Sequence, residues 1–350
     1  MSKATFIGER RRWRPLTTVT LSVVICTKDR PAELDLCLGS LSRQTRLPAE
    51  VIVVDASTNL PEREVNEFRS RIGPECNVEL LRAAPGLTRQ RNIGVQVASG
   101  SVVLFLDDDT VLDENYVKEI AAVYEQDHES KIAGAGGAII PDPTLRESRL
   151  RRAFRRVFLL PSFGRGRVKR SGYQEFAFSP RELLEVEFLS GCNMSYRREV
   201  FDCLHFDERL TGYALGEDLH FSYAVSRRSR LVLTPHARLE HREAGGGRPV
   251  SKDKLEMAVL HHLLFFREQV AAGPLDWLCY FWSLLGGLLW TLRHPGEGRL
   301  AGVLRGYRGV VATLLGLRNS VGGGFPPRPT SVLWHSSSNK SGARDGTSGA

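Results

Sequence analysis

The stretch "VVLFLDDDTVLDENY", residues 102–116, decides the fold. An apolar run ends abruptly in Asp107, Asp108 and Asp109, three adjacent carboxylates. A short continuous apolar run bounded by polar residues is the pattern of a strand buried on both faces. Carboxylates are costly to bury without partners, so the triplet belongs past the strand's end, toward a ligand or solvent. Beyond it, Tyr116, Val117, Ile120, Val123 and Tyr124 mark one face of a helix, with Asp113 placed to cap it.

The same alternation runs back toward the N-terminus. "LSVVICT" (21–27), "VIVVDAS" (51–57) and "VELLRA" (78–83) read as strands. Leu34, Leu38 and Leu41 after Pro31, the segment "PEREVNEFRSRI" and "LTRQRNIGVQVASG" read as helices, the last ended by Gly100. Apolar strands alternating with amphipathic helices predict an α/β fold, a mainly parallel sheet flanked by helices. Ligands bind such sheets beyond the carboxyl ends of the strands, where Thr27, Asp55 and Asp107 to Asp109 all fall.

Past residue 140 the alternation stops. "LRESRLRRAFRRVFLLP" puts Leu150, Ala153, Phe154, Val157 and Phe158 on one stripe of a basic amphipathic helix, and residues 146–182 carry eleven Lys/Arg against three Asp/Glu. "VEFLSGCNMSYRREVF" reads as strand, turn and helix start, and "GEDLHFSYAVSRRSR" as a helix. Another helix follows over residues 252–271. "WLCYFWSLLGGLLWTL" (277–292) is uncharged and carries Trp277, Trp282 and Trp290. As a helix it spans about 24 Å, less than a hydrocarbon core of about 30 Å. Next, Leu300, Val303, Leu304, Tyr307, Val311, Leu314 and Leu315 form one apolar face. The two segments read as a membrane-lying or re-entrant hairpin, or as a helical cap buried on the protein. The tail after Asn319, rich in Gly, Pro and Ser, reads as disordered.

At 350 residues with 42% hydrophobic content, the chain can bury a sizeable core. The net charge of +8, clustered in residues 9–14 and 146–182, suggests an anionic partner, phosphate or a membrane surface. The six cysteines lack C-x-x-C spacing, and no apolar signal-peptide core follows the basic N-terminus. A location on the cytoplasmic side follows as an expectation.

The chemistry-bearing residues fall into three groups. The acidic triplet suits a magnesium or manganese ion that also holds a diphosphate, the alternative being a solvated turn. Glu217 and Asp218, behind Gly216, sit in a helix's first turn, where acids complement the dipole; an ionised carboxylate there could also take a proton from an acceptor hydroxyl. Arg89 and Arg91 could reach a diphosphate or lie solvated on their helix, and His241 ends a strand, where it is either a further metal ligand or a polar contact.

Taken in order, these segments resemble the family 2 glycosyltransferases of GT-A fold. "VVICTKDRPAELDLCLGSLSRQT", "VIVVDAST", "RQRNIGVQVASG" and "VVLFLDDDT" resemble the donor half, and "FLSGCNMSYRREVF", "FDERLTGYALGEDLHFSYAV" and "LTPHARLEH" the acceptor half. The resemblance covers about residues 20–245. It implies that Thr27 and Asp55 contact the nucleotide, that Asp107 and Asp109 hold a divalent cation (Mn or Mg) with His241, and that Asp108 faces ribose or sugar. It further implies that Asp218 is the general base, Glu217 its neighbour, and Arg91 a stabiliser of the departing diphosphate. The opening loop "TKDRP" and "VVDAST", which lacks a second acid, depart from the usual pattern and imply different nucleotide contacts.

The expected organisation is a basic extension (1–19), a GT-A domain (20–245, donor half about 20–140, acceptor half about 141–245), a helical membrane-associating region (246–318) and a tail (319–350). The expected activity is inverting, metal-dependent transfer of a hexosyl or deoxyhexosyl group from a nucleotide-diphosphate-sugar to a hydroxyl of a lipid-linked or saccharide acceptor of the cell envelope, at the cytoplasmic face of the cell membrane and with no nucleic-acid partner. Two other readings compete: nucleic-acid binding through the arginine clusters, and nucleotidyl transfer, for which "TKDRP" lacks the glycines of a phosphate loop.

Overall fold

The computed structural model describes residues 12–16, 18–142, 147–211, 213–242, 251–296 and 298–317. The expected tail from 319 and most of the basic N-terminal extension lie outside them.

The first half alternates as the periodicity requires: β1 (Leu21–Thr27), α1 (Pro31–Leu41), β2 (Glu50–Asp55), α2 (Glu62–Ile72), β3 (Asn77–Arg82), α3 (Leu87–Val97) and β4 (Val102–Asp107). Its strands are all parallel, in the order β3-β2-β1-β4. The order reverses between β1 and β4, and such a switch point opens a crevice at the carboxyl ends. Register aligns Thr27 with Asp55 and Cys26 with Asp107. β1, β2 and β4 are buried on both faces, which is why they read as unbroken apolar runs.

The second half comprises β5 (Thr110–Leu112), α4 (Tyr116–Glu125), β6 (Ile132–Ile139), α5 (Arg149–Val157), β7 (Ser162–Phe163), β8 (Glu175–Phe176), β9 (Leu184–Val186), β10 (Asn193–Arg197), α6 (Glu217–Ser226) and β11 (Arg230–His241). β10 lies antiparallel between β4 and β6; β11 runs parallel to β6 and antiparallel to the short β5. The sheet is therefore mixed, parallel throughout its first half, with helices on both faces.

Three local expectations change. α3 stops at Val97, short of Gly100, which is a glycine because a Cβ there would lie 2.8 Å from both the Ser22 amide nitrogen and the Thr20 carbonyl oxygen. Asp113 accepts from the Asn115 amide at 3.2 Å and shapes the turn before α4, whose N-cap is Asn115. The segment before β10 carries β9, and a 3-10 turn follows β10 in place of a helix.

After β11 come α7 (Ser251–Phe265), a π-type turn (Phe266–Val270), α8 (Pro274–Arg293) and α9 (Arg299–Leu314). α8 has 20 residues, so it exceeds the uncharged core and reaches about 30 Å. By length and composition it is one helix able to cross a membrane, with 28% of its apolar window buried. α9 divides its apolar stripe, with Val303 buried and the leucines outside. Gly302, Val303, Gly306, Gly309 and Val310 are buried, and a Cβ on Gly306 would lie 2.8 Å from Val259 Cβ. Leu304, Val311 and Leu315 point outward instead. The glycine stripe admits the backbone of α7 closely and turns the bulky stripe away from it.

Candidate active site

A cavity of about 720 Å³ opens at the carboxyl ends of β1 and β4. The three acids at the end of β4 point three ways. Asp107 is half-buried, 3.5 Å from Arg91 Nη2 and 3.9 Å from His241 Nε2. Asp108 accepts from Thr27 Oγ1 at 2.7 Å and Arg30 Nη1 at 3.0 Å. Asp109 lies 3.1 Å from His241 Nε2 and 3.5 Å from Arg30. Burial raises the Asp107 carboxyl against the pull of Arg91 and His241. Burial lifts Asp108 to about 6, with Thr27 and Arg30 opposing.

Strand pairing delivers His241. The antiparallel β5–β11 ladder sets it opposite Thr110, and the Arg242 amide donates to the Asp109 carbonyl at 3.0 Å. Burial pulls the imidazole down, but Asp109, Cys192 and Asp107 outweigh it and raise it to about 11. The negative charge of Asp107 and Asp109 also suits a divalent cation. Ligand atoms of Asp107, Cys192 and His241 lie within 4.8 Å of one another. Carboxylate oxygen and imidazole nitrogen fit manganese or magnesium, whereas burial raises the Cys192 thiol and keeps it protonated. Asp107 and His241 thus offer a carboxylate oxygen and an imidazole nitrogen to one cation, and Asp109 lies 3.1 Å from the same His241 Nε2 without joining that group.

The second acidic pair divides its roles by burial. α6 starts from Gly216, whose φ of 88° lies in the left-handed region that favours glycine. Glu217 is buried and accepts from Arg91 Nη1; Arg91, only 2% exposed, also donates to the Gly191 carbonyl at 3.1 Å. Burial and Asp218 lift Glu217 to about 7 despite Arg91. Asp218 is half-buried on the cavity wall, and its Oδ2 accepts from the Gly191 amide at 2.9 Å. A Cβ on Gly191 would come within 2.9 Å of both Arg91 Nη2 and Glu217 Oε1, so a glycine lets the two acids and the arginine meet.

The C-terminal helices bolt this loop in place. His261 Nδ1 donates to the Leu215 carbonyl at 2.9 Å, Gln269 to the His220 carbonyl at 2.9 Å, and Arg209 pairs with Glu268 at 2.7 Å. Burial holds His220 down at about 4 and His262 at about 3, and lowers His261.

Of the residues singled out by sequence, Thr27, Arg91, Asp107, Asp108, Asp109, Glu217, Asp218 and His241 line the cavity. Asp55 does not: its carboxylate accepts from the Ser57 amide at 3.1 Å and hydroxyl at 2.6 Å, ordering its own loop. Arg89 lies outside the cavity lining too. It is exposed, 3.5 Å from Glu208, because two positions apart on a helix differ by about 200° and only one can face the cavity. Arg91 is committed to Glu217 rather than displayed as a free cation. Sequence reading missed Arg30 and Cys192. Arg30 had a signal, a cation three residues past β1; Cys192 had none, since only tertiary pairing brings it to Asp107.

Comparison with known proteins bears on the family and the fold. The family model Glycosyl transferase family 2 matches residues 22–205. A glucosyl-dolichyl phosphate glucuronosyltransferase of Haloferax volcanii is 27% identical over 186 residues, 52% of this chain and 53% of that protein. The chain thus spans about half the length of the curated relatives it matches. Among solved structures, TarS residues 1–349 of Staphylococcus aureus in complex with UDP-GlcNAc gives a TM-score of 0.54 at 17% identity, covering 84% of this chain and 81% of that one. The mannosyltransferase PcManGT of Pyrobaculum calidifontis, in complex with GDP-Man and Mn2+, gives 0.51 at 14% identity, covering 88% and 85%. At such identities the structures establish the fold. The family match spans more than half of the chain and the switch-point cavity carries its acids, so this chain belongs to glycosyl transferase family 2.

Proposed function

We propose that the protein transfers a sugar, hexosyl or deoxyhexosyl, from a nucleotide-diphosphate donor to a hydroxyl of a lipid-linked saccharide of the cell envelope, with inversion at the anomeric carbon. The observation that carries this reading is the burial split between the two acids of α6. Both line the cavity, but Glu217 is buried and tied to Arg91, which leaves Asp218 as the more accessible carboxylate of the pair. Asp218 takes the proton of the acceptor hydroxyl as that oxygen bonds to the anomeric carbon and the bond to the diphosphate breaks. Arg91 holds Glu217, and Glu217 orients the acceptor. Thr27 and Arg30 hold Asp108 toward the donor's ribose or sugar.

Asp107, Asp109 and His241 would hold a manganese or magnesium ion, which supplies positive charge against the departing diphosphate. The Mn2+ and nucleotide-sugars named with the structurally similar enzymes support this part. The lipid-linked acceptor draws support from the glucosyl-dolichyl phosphate named for the Haloferax relative and from the exposed apolar faces of α8 and α9. On α8, Leu275, Leu278, Trp282, Leu285, Leu289 and Leu292 recur at helical spacing on an exposed face, which suits lying in a membrane interface on the cytoplasmic side. The family match favours glycosyl transfer over nucleic-acid binding and nucleotidyl transfer.

The test is a thermal-shift screen of UDP-, GDP- and dTDP-sugars with manganese. A true donor stabilises the chain by mass action only when the cation is present. No stabilisation by any nucleotide-sugar with manganese or magnesium would refute the reading.

A further inference from the structure

Outside the central cavity, a second cleft of about 280 Å³ lies between α5 and the β7–β8 pair. Its floor is aromatic: Phe176 and Phe178 stack at 5.4 Å, and Phe163 meets Phe178 edge-on at 5.8 Å. Its wall is cationic. α5 carries five arginines and no acid, and two of them, Arg152 and Arg156, line the cleft. Arg152 lies 3.4 Å from Glu147, which Arg155 shares at 3.3 Å, while Arg156 has no ion pair among the described residues. Asp142 is the lone carboxylate of the described lining and Glu147 offsets Arg152 from outside it, which leaves Arg156 as the guanidinium with no ion pair among the described residues.

The cleft borders apolar surface. Phe158 stacks on Trp282 at 4.9 Å, Trp282 Nε1 donates to the Val157 carbonyl at 2.8 Å, and Arg151 lies 5.1 Å over Trp290, mooring α5 to α8. Leu150 is 82% and Val157 61% exposed beside the outward face of α8.

Guanidinium groups recognise phosphate, aromatic faces take sugar rings or isoprenoid units, and an exposed apolar edge takes a lipid tail. We propose that this cleft seats the phosphate joining the acceptor saccharide to an isoprenoid carrier, the tail leaving along α5 and α8. The proposal rests on the lipid-linked reading above and adds the place where that acceptor is held. Arg152 and Arg156 are acceptor-binding residues remote from the bond that is made.

The test uses the full chain and geranyl phosphate, with geraniol and inorganic phosphate as controls. By calorimetry, the R152A/R156A variant should bind geranyl phosphate at least tenfold more weakly than the native chain. R149A/R308A, which removes equal charge at two exposed positions outside the cleft, should change it less than about twofold. Unchanged affinity in R152A/R156A would overturn the proposal while leaving the lipid-linked reading intact. No affinity of the native chain for geranyl phosphate would instead remove that reading. Sedimentation with phosphatidylglycerol vesicles separates the carrier phosphate from bilayer headgroups. Equal loss of vesicle binding in the two double variants is expected, and a loss confined to R152A/R156A would assign the cleft to headgroups and overturn the proposal.

Discussion

The cavity at the carboxyl ends of β1 and β4 and the helical layer of α7 to α9 solve opposite problems. In the first, the chain buries charge: Arg91 holds Glu217, Arg30 holds Asp108, and His241 meets Asp109. In the second it exposes apolar surface, turning Leu278, Leu285, Leu304 and Val311 outward while glycines and histidines go inside. Neither arrangement favours stability. Buried charges cost desolvation and exposed leucines forgo burial, so each region is organised for something it meets.

The largest effect is expected where the cation would bind. Asp109→Ala should cut manganese-dependent donor affinity, read by calorimetry, at least tenfold and lower turnover by about 10³. Donor binding insensitive both to the substitution and to manganese would separate the acids from the diphosphate. Arg91→Met leaves Glu217 buried without its partner and should cost about 3–5 kcal/mol in urea unfolding, since removing one member of a buried pair strands the other. A loss below about 1 kcal/mol would mean that Glu217 is accommodated without Arg91.

The helical layer should respond differently. Gly306→Ala places its methyl against Val259 and should destabilise by about 1–3 kcal/mol. Acid should loosen the same region. His220 and His262 are held neutral in the folded chain at about 4 and about 3, below the ordinary value of 6.5. The unfolded chain therefore binds more protons below about 6.5, and stability, complete above that pH, falls as pH drops toward 4 by up to about 1.4 kcal/mol per unit for each histidine. His262→Gln should flatten that slope in pH-dependent unfolding. Leu304→Ser, on the outward stripe of α9, should change stability by under about 0.5 kcal/mol yet weaken pelleting with vesicles. Unaltered pelleting would count against a membrane face there.

The sequence was most legible where one periodicity had one meaning. The runs ending at Thr27, Asp55 and Asp107 sit on both-face-buried strands, and order along the chain was enough to bring their ends together. It was less legible where two stripes competed. α9 carries a glycine stripe and a leucine stripe, and hydropathy alone leaves the leucines either in a membrane interface or in a buried cap, whereas close helix approach puts the glycines against α7. Nor could it show that Arg91 and not Arg89 turns inward, or that Cys192 joins Asp107 and His241, because both depend on how elements pack.

Asp218→Asn tests the central claim most directly. Turnover with the identified donor should fall by at least about 10³-fold while donor affinity by calorimetry stays within about threefold, because an amide keeps the hydrogen bond from the Gly191 amide but cannot accept the acceptor's proton. Turnover near that of the native chain would contradict the assignment of Asp218 as the base and, with it, the division of labour between the two acids of α6.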